Sequence, residues 1–308
     1  MLIVNNPTGL SHEMPEGHPE RIARLETVFA VLSDIKADRI EAPLGTEADI
    51  ALCHPQEYID AMRDAMPTAG MVQIDADTSA SPGTWEAALR GVGGCVHAVD
   101  AVLNGQVKRA FVATRPPGHH AEKSRAMGFC LFGNIAIAAR HALERHGLSR
   151  VAVVDFDVHH GNGTQDLLWD EPRALFVSSH QMPLYPGSGA PGERGGSDNI
   201  LNIPLPPGSD GQAMRSRYES VVFPRLREFA PELILISAGF DAHARDPLAN
   251  LLWEAEDFAW VTRELVKIAE ELCDGRVVST LEGGYDLQGL GDGVAAHVAE
   301  LADGQEGI

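Results

Sequence analysis

The densest chemistry in the sequence lies in one run, Asp155-Phe156-Asp157-Val158-His159-His160-Gly161-Asn162-Gly163. Side chains alternate across a strand, so Asp155, Asp157 and His159 fall on one side as an apolar strand runs out into a loop. Two carboxylates and an imidazole at the end of a buried strand carry a large desolvation cost unless they are paired or hold a cation. Asp157 and His159 thus form half of an oxygen/nitrogen metal site. Read alone, the run is equally a hydrogen-bonded acidic strand end.

Three further segments have the same character. Arg115-Pro116-Pro117-Gly118-His119-His120 sets two adjacent histidines on a stiff loop after a strand, a way to hold a general base in place. Ser237-Ala238-Gly239-Phe240-Asp241 again puts a carboxylate after an apolar strand, able either to complete an Asp/His/Asp triad or to cap the next turn. Glu282-Gly283-Gly284-Tyr285 puts a tyrosine just past the last strand, behind glycines that let the chain bend sharply. Each motif alone has an ordinary structural explanation. All four lie at the same end of successive strands, where one pocket can collect them.

The elements that must position them follow a strand–helix rhythm from about residue 84. Helices are expected over 84–104, 132–147, 212–230 and 254–273, with a last one running to Leu301. Strands are expected over 109–114, 151–158, 174–180, 199–205, 233–240 and 277–283, several of them nearly continuous apolar runs. That alternation predicts an α/β fold with a mainly parallel sheet covered on both faces. No Pro/Gly/Ser-rich linker, charge block or repeat divides the chain, so one domain over 1–308 is expected. Segments 115–118, 183–196 and 204–211 read as loops at strand ends, where ligands bind in such sheets.

Composition narrows the function classes. The chain has 308 residues, 44% hydrophobic and 22% charged, which suits a large buried core and excludes wholesale disorder. Asp plus Glu outnumber Lys plus Arg by 44 to 24, a formal charge of −20 that opposes binding to nucleic acid or an anionic membrane and draws cationic substrates weakly. Cys53, Cys95, Cys130 and Cys273 form no C-x-x-C pair, as expected of reduced thiols in the cytoplasm. The N-terminus lacks a basic signal-peptide start, and no apolar run is long enough to span a bilayer.

Taken in order, RPPGHHAE (115–122), GFC (128–130), DFDVHHGNGTQ (155–165), LYPGSG (184–189), SAGFDAHARDPL (237–248) and LEGGYDL (281–287) resemble the motif series of the histone deacetylase superfamily, in particular its class II branch and related bacterial deacetylases. The resemblance runs over roughly residues 18 to 290. It implies the arginase/deacetylase type of three-layer α/β fold and a zinc-dependent amide hydrolase with one Zn²⁺ per chain. Position by position, Asp157, His159 and Asp241 match the zinc ligands, and His119 and His120 the tandem active-site histidines. Asp155 matches the carboxylate partner of His119, and Tyr285 the carbonyl-polarising tyrosine. Phe129 and Tyr185 resemble the walls of an acyl-lysine tunnel, Gly128 lies near the substrate amide, and Leu248 resembles an apolar rim residue. Asp155, Asp157, His159, Ser178 and Ser179 resemble an inner, structural K⁺ site.

The chemistry so implied is coherent. Two carboxylates cancel the charge of Zn²⁺ and acidify its water less than an all-histidine site, so the metal needs a general base, His120, and an oxyanion donor, Tyr285. Asn162 stands where some family members have an acid, which leaves His120 more readily neutral. Gly17-His18-Pro19-Glu20 and Arg24 resemble the N-terminal segment with its channel arginine, except that Ile22 stands where a proline is common. Polyamine-specific relatives place an acid at the position of Leu248, so the expected substrate is an N-acetyl-lysine-type amide, with acetylpolyamines as the alternative. A binuclear manganese ureohydrolase shares the fold but needs D-x-H-x-D ligands, whereas this chain has Asp155-x-Asp157-x-His159. A non-catalytic acetyl-lysine binder is disfavoured by intact Tyr285 and both histidines. A homo-oligomer stays open.

Overall fold

The computed structural model describes residues 1–302. Its main sheet has eight strands: β1 (Leu2–Asn5), β2 (Asp38–Glu41), β5 (Arg109–Ala113), β6 (Val151–Asp155), β7 (Ala174–Gln181), β8 (Ile200–Leu205), β9 (Leu233–Ala238) and β10 (Val277–Leu281). A separate antiparallel pair is formed by β3 (Val72–Gln73) and β4 (Ser79–Ala80). The spatial order in the main sheet is β2-β1-β5-β10-β9-β6-β7-β8, and every neighbouring pair is parallel. The helices, in chain order, are α1 (Ile22–Ser33), α2 (Glu47–Ile50), α3 (Gln56–Asp64), α4 (Thr84–Leu103), α5 (Asn134–Arg145), α6 (Asn162–Leu168), α7 (Gly211–Arg217), α8 (Phe223–Phe229), α9 (Ala255–Cys273) and α10 (Leu287–Ala302).

Strand periodicity explains the three layers. In β6, Ala152 and Val154 join one apolar cluster while Val151 and Val153 join the other; in β9, Ile234 and Ile236 oppose Leu233 and Leu235 in the same way. One face is covered by Leu25 and Val28 of α1, Val261 and Leu265 of α9, and Val294 and Val298 of α10. The other is covered by Cys95, Val99 and Val102 of α4 and Ile135 and Ala139 of α5. A strand with no wet face reads as a continuous apolar run, and that is why the central strands stood out in the sequence. No helix among the described residues is long and apolar enough to cross a membrane.

Several expected boundaries shift. The strand expected over 151–158 ends at Asp155, so Asp157 and His159 belong to the loop that follows it. The helix expected over 212–230 is α7 and α8 joined by a π-helical turn at Tyr218–Val222. Pro224, which lacks an N–H, follows that turn and removes one i→i−4 bond from the ladder. The sheet also extends through β1 and β2, ahead of the region where regular elements were expected.

All eight strands run the same way, so their C-terminal ends form one edge. The loops after β5, β6, β7, β9 and β10 carry, respectively, His119 and His120; Asp157 and His159; Tyr185; Asp241; and Tyr285. An open parallel sheet uses this edge for ligands.

Candidate active site

The loop after β6 is folded by its own carboxylates. Asp155 Oδ1 accepts the Asp157 N–H at 3.0 Å, and Asp157 Oδ1 accepts the His159 N–H at 2.9 Å. Asp241, arriving from β9, accepts the Val158 N–H at 2.8 Å through Oδ1, and Asp157 Oδ2 accepts the Gly283 N–H from β10 at 2.8 Å. Three strand ends are thereby tied together through buried acids.

One point of the structure gathers negative charge. The ligand atoms of Asp157, His159 and Asp241 lie within 4.8 Å of one another, and all three residues are buried. His159 Nδ1 stands 3.1 Å from Asp157 Oδ1 and 3.1 Å from Asp241 Oδ2. A Cβ at Gly283 would lie 2.1 Å from Asp241 Oδ2 and 2.5 Å from Asp157 Oδ2, so only glycine lets the backbone pass this close to both acids. Burial opposes a charge on His159, yet its bonds to Asp157 and Asp241 raise it to about 10. The pair of carboxylates therefore favours a cation at this ring nitrogen. A donor set of two carboxylate oxygens and one imidazole nitrogen, pre-formed and dry, fits a divalent ion such as Zn²⁺.

The two adjacent histidines are placed in opposite electrostatic states. His119 Nδ1 meets Asp155 Oδ2 at 3.0 Å, and its Nε2 is 3.7 Å from Asp157 Oδ2. Burial works to neutralise that ring, but Asp157 and Asp155 outweigh it and hold it well above the ordinary histidine value. His120 is pushed well below that value, by burial first and then by His119 and His159. Its tautomer follows from its partners. Asn162 Nδ2 donates to Glu122 Oε1 at 2.7 Å, which turns Asn162 Oδ1 toward His120 Nδ1 at 2.7 Å. His120 Nδ1 is then the donor, and Nε2 keeps a free lone pair.

A cavity of about 220 Å³ opens beside these groups, lined by Asp77, His120, Phe129, Tyr185, Leu248 and Tyr285 among others. Phe129 stands edge-on to Tyr285 with centroids 5.9 Å apart, and Tyr185 stands edge-on to His120 at 5.2 Å. Gly128 lies behind His120 with φ +57°, and a Cβ there would be 2.3 Å from the His120 ring. Tyr285 is buried, and burial raises its phenol well above the ordinary value, keeping the O–H as a donor. Ser178 pairs in register with Asp155, but its hydroxyl meets His180 Nδ1 at 3.0 Å, while the Ser179 hydroxyl meets Tyr218 at 2.8 Å.

The structure also brings in Asp77, which sequence reasoning missed, and gives partners to Asp246, Glu282 and Arg24, which lay within motifs already noted. Asp77, just before β4, reaches the cavity and accepts the Gly128 N–H at 3.0 Å. Asp246 holds two loops at once, accepting the Leu248 N–H through Oδ1 at 3.0 Å and the Tyr285 N–H through Oδ2 at 2.7 Å. Glu282 is buried and accepts the Gly118 N–H at 2.7 Å, fixing the turn that carries His119 and His120. Asp246 follows Asp241 closely within the quoted DPL motif, so its position was visible although its partners were not. Arg24 is fully buried: it donates to the Gly284 carbonyl at 2.5 Å and the Glu282 carbonyl at 2.6 Å, and lies over the Tyr285 ring at 4.8 Å.

Comparison with known proteins agrees with the fold. Residues 18–301 match the histone deacetylase domain. The chain is 44% identical over 305 residues to histone deacetylase 10, chloroplastic, of Oryza sativa subsp. japonica, covering 91% of this chain and 68% of that protein. It is 39% identical over 296 residues to a probable deacetylase of Archaeoglobus fulgidus, covering 93% and 82%. The crystal structure of the HDA15 HD domain superposes with a TM-score of 0.92 at 31% identity, covering 98% of this chain and 91% of that one. The chain therefore belongs to the histone deacetylase family and is a hydrolytic deacetylase.

Proposed function

We propose that this deacetylase is a zinc enzyme that removes acetyl groups from N-acetyl-lysine-type amides, acting as one catalytic domain. The observation that carries this reading is the convergence of the Asp157–His159–Asp241 cluster, His120 and Tyr285 on a single narrow cavity. A Zn²⁺ ion held by Asp157, His159 and Asp241 would polarise the amide carbonyl and acidify the attacking water.

The protein's own groups supply the rest. His120, neutral with its Nε2 lone pair free, takes a proton from the water as the new C–O bond forms. It returns that proton to the amine nitrogen as the C–N bond breaks, so that acetic acid, which ionises in solution, and a free amine leave. Tyr285 donates its O–H to the carbonyl oxygen as negative charge gathers there. His119 remains charged between Asp155 and Asp157, orients the acids and repels a proton from His120. The aromatic faces of Phe129 and Tyr185 suit the four-carbon stem of a lysine, and the apolar Leu248 suits a neutral rim. Asp155, Asp157, His159, Ser178 and Ser179 are proposed to hold a structural K⁺, and the cytoplasm is the proposed compartment. Neither nucleic acid nor membrane is proposed as a partner.

Asp77 on the cavity wall favours a second reading, hydrolysis of acetylpolyamines, because a carboxylate there attracts a cationic amine. Protein loaded with one equivalent of zinc should be assayed on acetyl-lysine peptides, acetylpolyamines and simple acetamides. Highest kcat/KM on acetyl-lysine peptides is the expected result. A preference for acetylpolyamines would overturn the substrate reading, and no dependence on added metal would overturn the zinc reading.

A further inference from the structure

A second cluster of the same donors lies elsewhere. Asp100, near the end of α4, is approached by two imidazoles from the end of α5: His141 Nε2 and His146 Nε2 each lie 2.7 Å from Asp100 Oδ1. The two rings stand 5.4 Å apart, and one ligand atom from each of the three residues falls within a 4.8 Å circle. These histidines are the ion-pair partners of Asp100 among the described residues, with no Lys or Arg between them and the acid. His141 lies within α5, and His146 is its C-terminal cap, just past the last helical residue.

The cluster is well removed from the active site. The chain leaves α4 to enter β5 and leaves α5 to enter β6, so both helix C-termini sit at the N-terminal edge of the sheet, opposite the catalytic edge. It is also open: the side chains of Asp100 and His146 are 38% and 20% exposed, enough for a hydrated ion to approach. Asp100 Oδ1 faces both rings, and solvent is available for further ligands.

We propose that Asp100, His141 and His146 form a second metal site, selective for borderline divalent ions of the Zn²⁺, Ni²⁺ and Cu²⁺ class, that clips α4 to α5. Two imidazole nitrogens and one carboxylate oxygen leave at least one position for water, the pattern of an open site rather than a closed one. Hard, oxygen-loving ions such as Mg²⁺ gain little from two imidazoles and are not expected to bind. His141 Nδ1 is buried with no hydrogen-bond partner, so the proton of this ring sits on Nε2 toward Asp100, and an ion that takes Nε2 requires that proton to move to Nδ1, where no acceptor stands. That competition makes the site weaker than the buried one, and an ion held there stabilises the α4–α5 pair by mass action.

The test uses the full chain carrying one equivalent of zinc, titrated with Cu²⁺ or Ni²⁺ by equilibrium dialysis and followed by Cu²⁺ EPR. Wild type is expected to take up a second ion, with hyperfine coupling to two nitrogens. His146→Ala and Asp100→Asn should each weaken that uptake by about tenfold or more, and His146→Ala should leave coupling to one nitrogen. Deacetylation by the one-zinc protein should be the same in wild type and both variants. His146 is partly exposed, so its variant tests the site without emptying the core; Asp100→Asn is isosteric and checks the same point from the other helix. Uptake of a single ion by wild type, or equal uptake of a second ion by both variants, would overturn the proposal.

Discussion

The molecule holds two clusters built from carboxylate and imidazole, two oxygens and a nitrogen in one and two nitrogens and an oxygen in the other, and they differ above all in what surrounds them. Asp157, His159 and Asp241 sit on strand-end loops, completely or nearly buried, with backbone N–H groups from the loops after β6 and β10 aimed at the acids. Asp100 and His146 sit partly exposed near helix ends, with the buried His141 beside them. Two acids in a dry interior cannot stay charged and close together without a cation, whereas a half-exposed acid is solvated with or without one. Burial therefore turns the first cluster into a requirement for a cation and leaves the second as an option. Substitution should separate the two.

The largest effect is expected at the buried cluster. Asp241→Ala removes a ligand together with the acceptor of the Val158 N–H. Zinc content after dialysis should fall to background, and kcat/KM should drop by roughly three orders of magnitude, the equivalent of several kcal/mol of charge stabilisation. Near-normal turnover in a zinc-free Asp241→Ala protein would dissolve the contrast between the clusters.

Next comes Tyr285→Phe, which deletes one O–H and no metal ligand. Removal of an oxyanion donor costs about 3–4 kcal/mol, so kcat should fall by two to three orders of magnitude while zinc content holds. A variant that keeps its rate would show that the buried acids and His120 suffice without the phenol.

How much of this was legible in the sequence depends on how the residues are spaced along it. Asp155, Asp157 and His159 alternate within one run, and Asp241 and Tyr285 each follow an apolar strand, so the strand ends announced themselves. Asp77 lies beside a two-residue strand with no apolar run to flag it. Asp100 and His141 lie on different helices, and nothing in helical periodicity relates them. The fold shows the same division. The central strands are apolar on both faces and were visible, whereas β2, Asp38–Glu41, is a polar, largely exposed edge strand with no pattern to read. β1 is four residues of apolar chain at the very start, informative only once β5 is seen beside it.

Asp246 offers a sharper probe of the buried side, because it acts on Tyr285 without touching substrate. Its carboxylate holds the Tyr285 N–H at 2.7 Å and the Leu248 N–H at 3.0 Å, so Asp246→Ala frees both loops. Misplacement by about 1 Å costs up to about 100-fold in rate, so a loss of ten- to a hundredfold in kcat is expected. In the Tyr285→Phe background the same substitution should cost much less, since the two act through one group. Full additivity in that double-mutant cycle would mean that Asp246 serves the fold rather than the phenol.

The smallest effect is expected from His146→Ala in metal-free protein. The His146–Asp100 pair is 20% and 38% exposed, and ion pairs of that exposure contribute about 0–1 kcal/mol. Asp100 keeps His141 at 2.7 Å and regains water on its open side, so no buried charge is stranded. The denaturant midpoint should therefore move little, with ΔΔG below about 1 kcal/mol by urea titration. A loss of several kcal/mol would mean that the helix-end cluster is as dependent on its partners as the strand-end one. Exposure would then not be what distinguishes them, and the reason for making a cation a requirement at the buried acids and an option at the helix ends would fail with it.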